Sequence, residues 1–387
     1  MRGLFIDTYF ENASPLETEE VDGALEFLPL ADSERFSGNR QTTHWNFKIR
    51  VAPENVGRTL RLRLRQKTTI WNGQSVPAYG NDSLSSVFSI DGVRWSGISM
   101  LRSERPGIAA EMEIRLSHET VQVAHLVPYT ESHLQQMQNR LAGISFVRIN
   151  PIGSTVEGRP LEMIEIGDPN LPAVFFRARA HPWESGGSWF LEGLADFLTT
   201  SRPEAERALR TLSFCLLPMA ARDGVARGMT RFTVNGFDLN RGWGSGREFD
   251  PALCPENACL KAWFERRKSE NRLPFLAIDL HNDQQGHLHP SHPEPDNGYT
   301  ARIDKLEGAL RRNTWFTEGR TTGSFRNPGT IGEGLIEIFG VDALIWELRD
   351  AWAEGLGKIP LSEDWMQLGE QSVSALLDYR ASISGMS

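Results

Sequence analysis

The sequence predicts an α/β domain with a mixed, largely buried sheet flanked by helices, preceded by an all-β antiparallel sandwich domain. Three observations carry this. Up to about residue 125, apolar and polar residues alternate with period two. After Tyr129, short apolar runs alternate with segments of helical spacing. Those later runs are apolar almost throughout, as strands covered on both faces are. The expected boundaries are 1–127 for the first domain and 128–387 for the second.

In the first region, "TLRLRLRQ" (59–66) sets Leu60, Leu62 and Leu64 on one face and Arg61, Arg63 and Arg65 on the other. "HWNFKIRV" (44–51), "SSVFSIDG" (85–92), "AEMEIRLS" (110–117) and "TVQVAHLV" (120–127) repeat the rhythm. Turn signals such as Pro53–Glu54–Asn55 separate them, the pattern of a sandwich of short antiparallel strands.

The second region opens with "TESHLQQMQNRLAG" (130–143), a helix expected to start at Thr130 as cap and stop at Gly143. Strands are expected over 161–167, 173–180, 212–220, 274–281 and 342–349. Helices are expected over 185–200, 203–210, 256–270, 300–312 and 362–383.

The net charge of -9 makes nucleic acid an improbable partner. No apolar run approaches the roughly 18 residues of a membrane helix. The start lacks the basic and apolar regions of a signal peptide, so a cytoplasmic protein is expected. Cys215, Cys254 and Cys259 are an odd count and are expected as free thiols.

Polar residues gather at the ends of the central strands. His181 and Glu184 follow one strand, Asp279, His281, Asn282 and Asp283 end another, and Glu347 lies on a third. One His, one Glu and a distant second His make the three-ligand set of a catalytic zinc site, with a position left for water. A further Glu off the metal is the expected general base. At a strand-to-helix junction such side chains converge outside the carboxyl end of a sheet, where open α/β sheets bind ligands.

Four ordered motifs then bring a resemblance. "HPWESGGSWFLEGLADFL" (181–198), "NGFDLNRGW" (235–243), "AIDLHND" (277–283) and "ALIWELRD" (343–350) look like the successive signatures of zinc carboxypeptidases of the funnelin type. The likeness is strongest to the cytosolic carboxypeptidase branch, whose members carry a β-sandwich ahead of the catalytic domain. "NRQTTHWNFKIRV" (39–51) resembles the entry strand of that sandwich. The resemblance covers about residues 35–380.

It implies that His181, Glu184 and His281 bind one Zn2+ per chain and that Glu347 is base and proton shuttle. Asn240 and Arg241 match the pair that grips a substrate's terminal carboxylate, and Arg231 matches an arginine that polarises the scissile carbonyl. An arginine fork suits a carboxylate chemically. The implied activity is hydrolysis of the C-terminal peptide bond of peptides or protein tails, with no membrane partner. Relatives often close a loop tyrosine over the substrate. Here Tyr299 is the only tyrosine between His281 and Glu347, and it lies at an expected helix start rather than in that loop.

Asp279 is expected on the opposite strand face from His281, in a structural role, and Asp283 is expected to fix a histidine tautomer. The histidines His287, His289 and His292 are expected on a loop rimming the site, with a second metal the less favoured reading. The segment "EGRTTGSFRNPGTIGEG" (318–334) is expected to line the pocket for the terminal residue. Its Arg320 and Arg326 would favour acidic side chains there. The alternative reading is a zinc amidohydrolase that deacylates N-acyl amino acids, which needs the same ligands and base.

Overall fold

The computed structural model describes residues 3–79, 84–244, 246–291, 293, 295–322 and 329–384. Among these, every regular element up to Ala124 is a strand, apart from a short 3-10 turn at Pro53–Asn55. Nine strands follow one another in space: Leu4–Asp7, Asn46–Val51, Thr120–Ala124, Leu84–Ser89, Ser96–Arg102, Ile108–Arg115, Thr59–Arg65, Ala24–Pro29 and Leu16–Val21. Phe27, Trp45, Phe47, Leu62, Met112 and Val123 from both halves of this order meet in one buried core. The expectation of purely antiparallel pairing is corrected at one place. Ala24–Pro29 runs parallel to Thr59–Arg65, with Leu25 opposite Leu62. Arg63 also differs from a solvated arginine, because Glu26 and Glu111 flank it in its buried position.

A separate four-stranded sheet takes Asp32–Ser33, Arg40–Gln41, Thr68–Trp71 and Gln74–Pro77 in that order. Thr68–Trp71 and Gln74–Pro77 form a hairpin with Trp71 opposite Gln74. The turn residues Asn72 and Gly73 have φ of 49° and 76°. That pair of left-handed residues is what a tight two-residue hairpin turn demands, and Asn-Gly adopts it readily.

The remaining chain builds a seven-stranded sheet in the order Val147–Ser154, Pro160–Ile166, Ser213–Leu217, Ala173–Ala178, Leu276–Asp283, Asp342–Arg349 and Leu288–Pro290. The four middle strands are parallel and the outer ones antiparallel. The helices are α1 (Glu131–Leu141), α2 (Gly186–Leu198), α3 (Pro203–Thr211), α4 (Arg222–Ala226), α5 (Pro255–Ser269), α6 (Tyr299–Asn313), α7 (Ile331–Phe339) and α8 (Ser362–Ile383). Sequence reasoning expected all but α4 and α7. The second of these falls within and just beyond a Gly-rich segment read as loop, and Thr330 and Glu333 cap it reciprocally.

The strands read as continuously apolar because both faces are covered. Val174, Phe176, Leu280 and Trp346 pack in one core with residues of α2, α6 and α8. Phe175, Ala277 and Ala343 pack on the other side with Trp263 and Phe264 of α5 and Leu335 of α7. Burying each large side chain contributes about 1.5–3 kcal/mol. Helices α2 and α8 approach so closely that a Cβ on Gly193 would lie 2.1 Å from the carbonyl oxygen of Met366. The free state of the three cysteines agrees with expectation.

The strand order locates the site. From Ala173–Ala178 the chain steps to Ser213–Leu217 on one side, then back past it to Leu276–Asp283 on the other. Crossovers leaving in opposite directions open a crevice at the carboxyl ends of those two strands.

Candidate active site

Past the end of Ala173–Ala178 the backbone turns at Arg179, a buried residue with φ of 60°. Its guanidinium donates to the Tyr129 carbonyl at 3.2 Å and to the Pro182 carbonyl, which fixes the turn carrying His181 and Glu184. Gly186 begins α2 directly afterwards, its N–H donating to Asn282 Oδ1 at 2.9 Å. The turn is thereby tied to the strand that bears His281.

His181, Glu184 and His281 are buried together. His181 Nδ1 lies 2.7 Å from Glu184 Oε1, and His281 Nδ1 lies 2.8 Å from Glu184 Oε2. The two Nδ1 atoms face each other at 3.1 Å. Each opposite ring nitrogen faces a carboxylate. His181 Nε2 is 3.1 Å from Asp238 Oδ1, and His281 Nε2 is 2.6 Å from Asp279 Oδ2. A carboxylate on Nε2 draws the proton there and leaves the Nδ1 lone pair outward. Two such lone pairs converging with a buried carboxylate need a cation or an extra proton between them. Two histidines and one glutamate are a donor set that zinc takes in catalytic sites. The residues therefore fit the metal that the sequence implied.

The carboxylates respond to these neighbours. Burial raises the Glu184 pKa, but the facing imidazoles outweigh it and hold the group below its ordinary value. Burial likewise opposes the charge on Asp238, and Arg231 with His181 more than compensates. Burial works against a charged His281, whereas Asp279 and Glu184 lift its pKa well above the ordinary range. Asp279 is itself gripped by the buried Arg177 guanidinium, at 2.7 and 2.6 Å.

This corrects two expectations. Asp279 shares a strand face with His281, because residues two apart on a strand point the same way. Asp283 does not touch the two histidines; its carboxylate accepts from the N–H groups of Gln285 and Gly286. Asp238 is a residue that the sequence reading left out, although it stands two places before Asn240 in a motif already singled out.

Glu347 lies across from His281 in the parallel pairing of their strands. One of its carboxylate oxygens is buried with no hydrogen-bond partner. Burial, then repulsion from Asp283, pushes its pKa well above the ordinary value. Asp283, His289 and Glu347 bring ligand atoms within 4.8 Å of one another, a second cluster beside the first. His287 and His289 rings are 6.4 Å apart, and His292 lies outside the described residues.

A cavity of about 470 Å³ takes in His181, Glu184, His281, Glu347 and the loop residues Arg231, Asn240 and Arg241. Asn240 Oδ1 accepts the Ile331 N–H at 3.0 Å, and its Nδ2 lies 3.4 Å from His281 Nε2. Arg231 pairs with Asp238 at 2.8 Å. Arg241 donates to the Asn240 carbonyl at 2.8 Å and, among the described residues, has no carboxylate within ion-pair distance. Tyr299 is buried at the start of α6, donating to the Ala343 carbonyl at 2.7 Å, well placed for the core and not for a lid.

Arg320 is elsewhere. Asp304 on α6 holds it at 2.7 Å, with Glu307 at 3.7 Å, and it is not among the residues lining the cavity. The structure thus places it in an ion pair with a helix rather than at this cavity. Arg326 lies outside the described residues.

A sheet with a crevice at its switch point and a buried His2Glu cluster defines an α/β protein with a candidate metal site. Residues 130–290 match the family model of the zinc carboxypeptidases. Among curated proteins it is similar to human cytosolic carboxypeptidase 2, 29% identical over 176 residues, covering 42% of this chain and 19% of that one. Human cytosolic carboxypeptidase 1 is also 29% identical, over 41% of this chain and 14% of that protein. The matched stretch thus spans about a fifth or less of the length of these relatives. In fold, it resembles a metallo-carboxypeptidase from Burkholderia cenocepacia, with a TM-score of 0.81, 19% identity and coverage of 99% of this chain and 100% of the other. A metallo-carboxypeptidase from Pseudomonas aeruginosa gives 0.76 and 21%, over 97% and 99% of the two chains. No helix among the described residues is long and apolar enough to cross a membrane.

Proposed function

We propose that the chain is a zinc-dependent metallocarboxypeptidase acting on the C-terminal bond of peptides or protein tails. The observation that carries this is the shared cavity. The His181, Glu184 and His281 donors, the unpartnered Glu347 carboxylate and the uncommitted Arg241 guanidinium all border it. One zinc ion held by the three donors would polarise a carbonyl and acidify water. Glu347, its pKa raised by burial, would take a proton from the attacking water and return it to the leaving amine. Arg241, with Asn240 beside it, would hold the terminal carboxylate and make the enzyme an exopeptidase. Arg231 would stabilise the charge that develops on the scissile carbonyl.

A preference for acidic terminal residues would rest on Arg320 and Arg326 of the 318–334 segment, of which Arg320 is ion-paired to α6. A sandwich domain over 1–127 and a catalytic domain over 128–387 are supported by the change from strands alone to alternating strands and helices.

The test compares matched peptides with free and amidated C-termini, alongside metal analysis. About one zinc per chain, cleavage of the free peptide only, and a raised KM in Arg241→Ala are expected. Equal cleavage of both peptides would remove the exopeptidase reading, and cleavage of N-acyl amino acids alone would favour the amidohydrolase.

A further inference from the structure

The loop from Thr230 to Trp243 carries the three residues proposed to meet substrate, yet it contains no helix or strand. Its shape must come from what it rests on. The small four-stranded sheet of the N-terminal region and the segments that flank its strands supply that support. Asp32 Oδ2 accepts the N–H groups of Arg231 at 2.7 Å and Phe232 at 2.9 Å. The Arg35 N–H donates to the Gly236 carbonyl at 2.7 Å. Thr230 Oγ1 accepts from the N–H groups of Thr43 and His44, both at 3.3 Å. Phe36 meets Phe237 edge-on at 5.9 Å.

The same sheet reaches into the cavity. Trp71, the last strand residue before the Asn72–Gly73 turn, lines it together with Gln41 and Asn72. The Arg231 guanidinium lies 4.4 Å from the Trp71 ring centroid, and that of Arg241 lies 5.6 Å away. Both distances are within reach of the attraction between a cation and an indole face. The two arginines repel each other. Asp238 neutralises Arg231 directly, which leaves Arg241 as the fork open to an incoming carboxylate.

We propose that Trp71 is a positioning residue of the substrate cavity: its indole face packs on Arg231 and sets Arg241 for a peptide's terminal carboxylate, so the N-terminal strands are a working part of the site. The ligand class is a free α-carboxylate. The inference rests on the carboxypeptidase reading and adds a residue, on a different part of the chain, to it. It also assigns part of the cavity wall to a hairpin.

The experiment measures KM and kcat on a blocked dipeptide, and binding of an N-acetylated amino acid by calorimetry, in the zinc-loaded protein. Trp71→Leu keeps apolar volume without a π face, and Trp71→Phe keeps a smaller one. Trp71→Leu should raise KM and the calorimetric Kd about tenfold, with kcat within about twofold and zinc content unchanged. Trp71→Phe should recover most of the loss. The amidated form of the acetylated amino acid should bind all three proteins equally weakly. If Trp71→Leu binds the carboxylate like wild type, or if kcat falls with KM unchanged, or if Phe does no better than Leu, the assignment is overturned. Trp71→Leu protein that loses zinc or folds poorly would mark the hairpin as scaffold only and overturn it too. A wild type that binds the carboxylate yet cleaves no dipeptide would sink the carboxypeptidase reading and leave the Trp71 assignment standing.

Discussion

His181, Glu184 and His281 stand at strand ends of the central sheet, whereas Arg231, Asn240 and Arg241 stand on a loop without regular structure. The two sets border one cavity but are held by different means. The ligands are fixed from below, by strand geometry, by the carboxylates Asp238 and Asp279 and by the buried Arg177. The loop is fixed from the side, by residues almost two hundred positions earlier in the chain, with Asp32 the clearest of them. A site of this kind separates the part that organises the reaction from the part that chooses what reacts. Changes to the first should alter metal and rate, and changes to the second should alter binding.

The largest effect expected from that division is at Glu347. Glu347→Gln keeps shape and removes the carboxylate that takes up and returns the proton. Turnover should fall by about 10²–10⁴ while zinc content and KM hold. A variant that retains wild-type kcat would take the base away from this position, and the cluster would lose its claim to the chemistry.

That contrast also decides what the sequence could reveal. The cluster was legible because His181, Glu184 and His281 sit at fixed offsets from apolar strands, and the motif order added the rest. Asp279 was misread only through the parity of a strand. The loop's supports were not legible, since nothing in the spacing of Asp32 or Trp71 points to residues near 231. Asn72–Gly73 is a hairpin signal that the sequence reading left out, and no local signal says where a hairpin tip will rest. Helix α7 was hidden by Gly332 and Gly334, which lower helix propensity; the close approach of Gly334 to Trp243 explains one of them, as a Cβ there would lie 2.6 Å from the Trp243 Cβ. Arg320 looked like a pocket residue because sequence cannot show a partner such as Asp304, sixteen positions away on a helix.

The next effect asks whether the ligand turn is as independent of the N-terminal strands as the comparison says. His125 lies flat between Trp45 at 4.3 Å and Trp183 at 4.9 Å, and Trp183 is part of the turn between His181 and Glu184. Burial pushes the His125 imidazole down to about 4 and the Asp350 carboxyl, 3.8 Å away, up to about 8. At neutral pH both are therefore neutral, and their contact is not an ion pair. His44, also buried, is pushed down to about 3. A histidine whose folded pKa is depressed binds fewer protons folded than unfolded, so its share of stability is lost as pH falls from about 6.5 toward 4. Asp350 acts in the opposite direction, so the measurement must be a difference. Wild type should lose up to about 3 kcal/mol over that range relative to His125→Phe, which keeps a flat ring but cannot titrate. Parallel stability curves for the two proteins would show that the stack does not couple the regions through His125.

A matched pair of variants then separates cluster from loop. Asp279→Ala strips His281 of the carboxylate on Nε2 and leaves Arg177 buried and unpaired. Zinc affinity should drop about 10–100-fold. Asp32→Ala leaves two backbone N–H groups without their acceptor, at a cost of about 1–3 kcal/mol to the loop. It should raise KM and leave zinc bound. Should both variants lose metal equally, the loop and the cluster would be one unit.

The smallest effect belongs to Arg320. It is an ion-paired arginine on a partly exposed surface, where such pairs contribute about 0–1 kcal/mol. Were it the floor of the pocket, removing it would abolish a sheltered fork-to-carboxylate pair, and the rate ratio of peptides ending in Glu and Phe would shift by about tenfold or more. Asp304 and Glu307 already match its charge on the α6 side. Arg320→Ala should therefore change that ratio by less than about twofold, with a small loss in melting temperature as the main consequence. The loop variant Arg241→Ala, assayed on the same two peptides, should weaken both together, because its partner is the terminal carboxylate that every peptide shares. A tenfold fall in the Glu:Phe ratio in Arg320→Ala would return the 318–334 segment to the cavity and shift the choice of terminal residue from the loop to that segment.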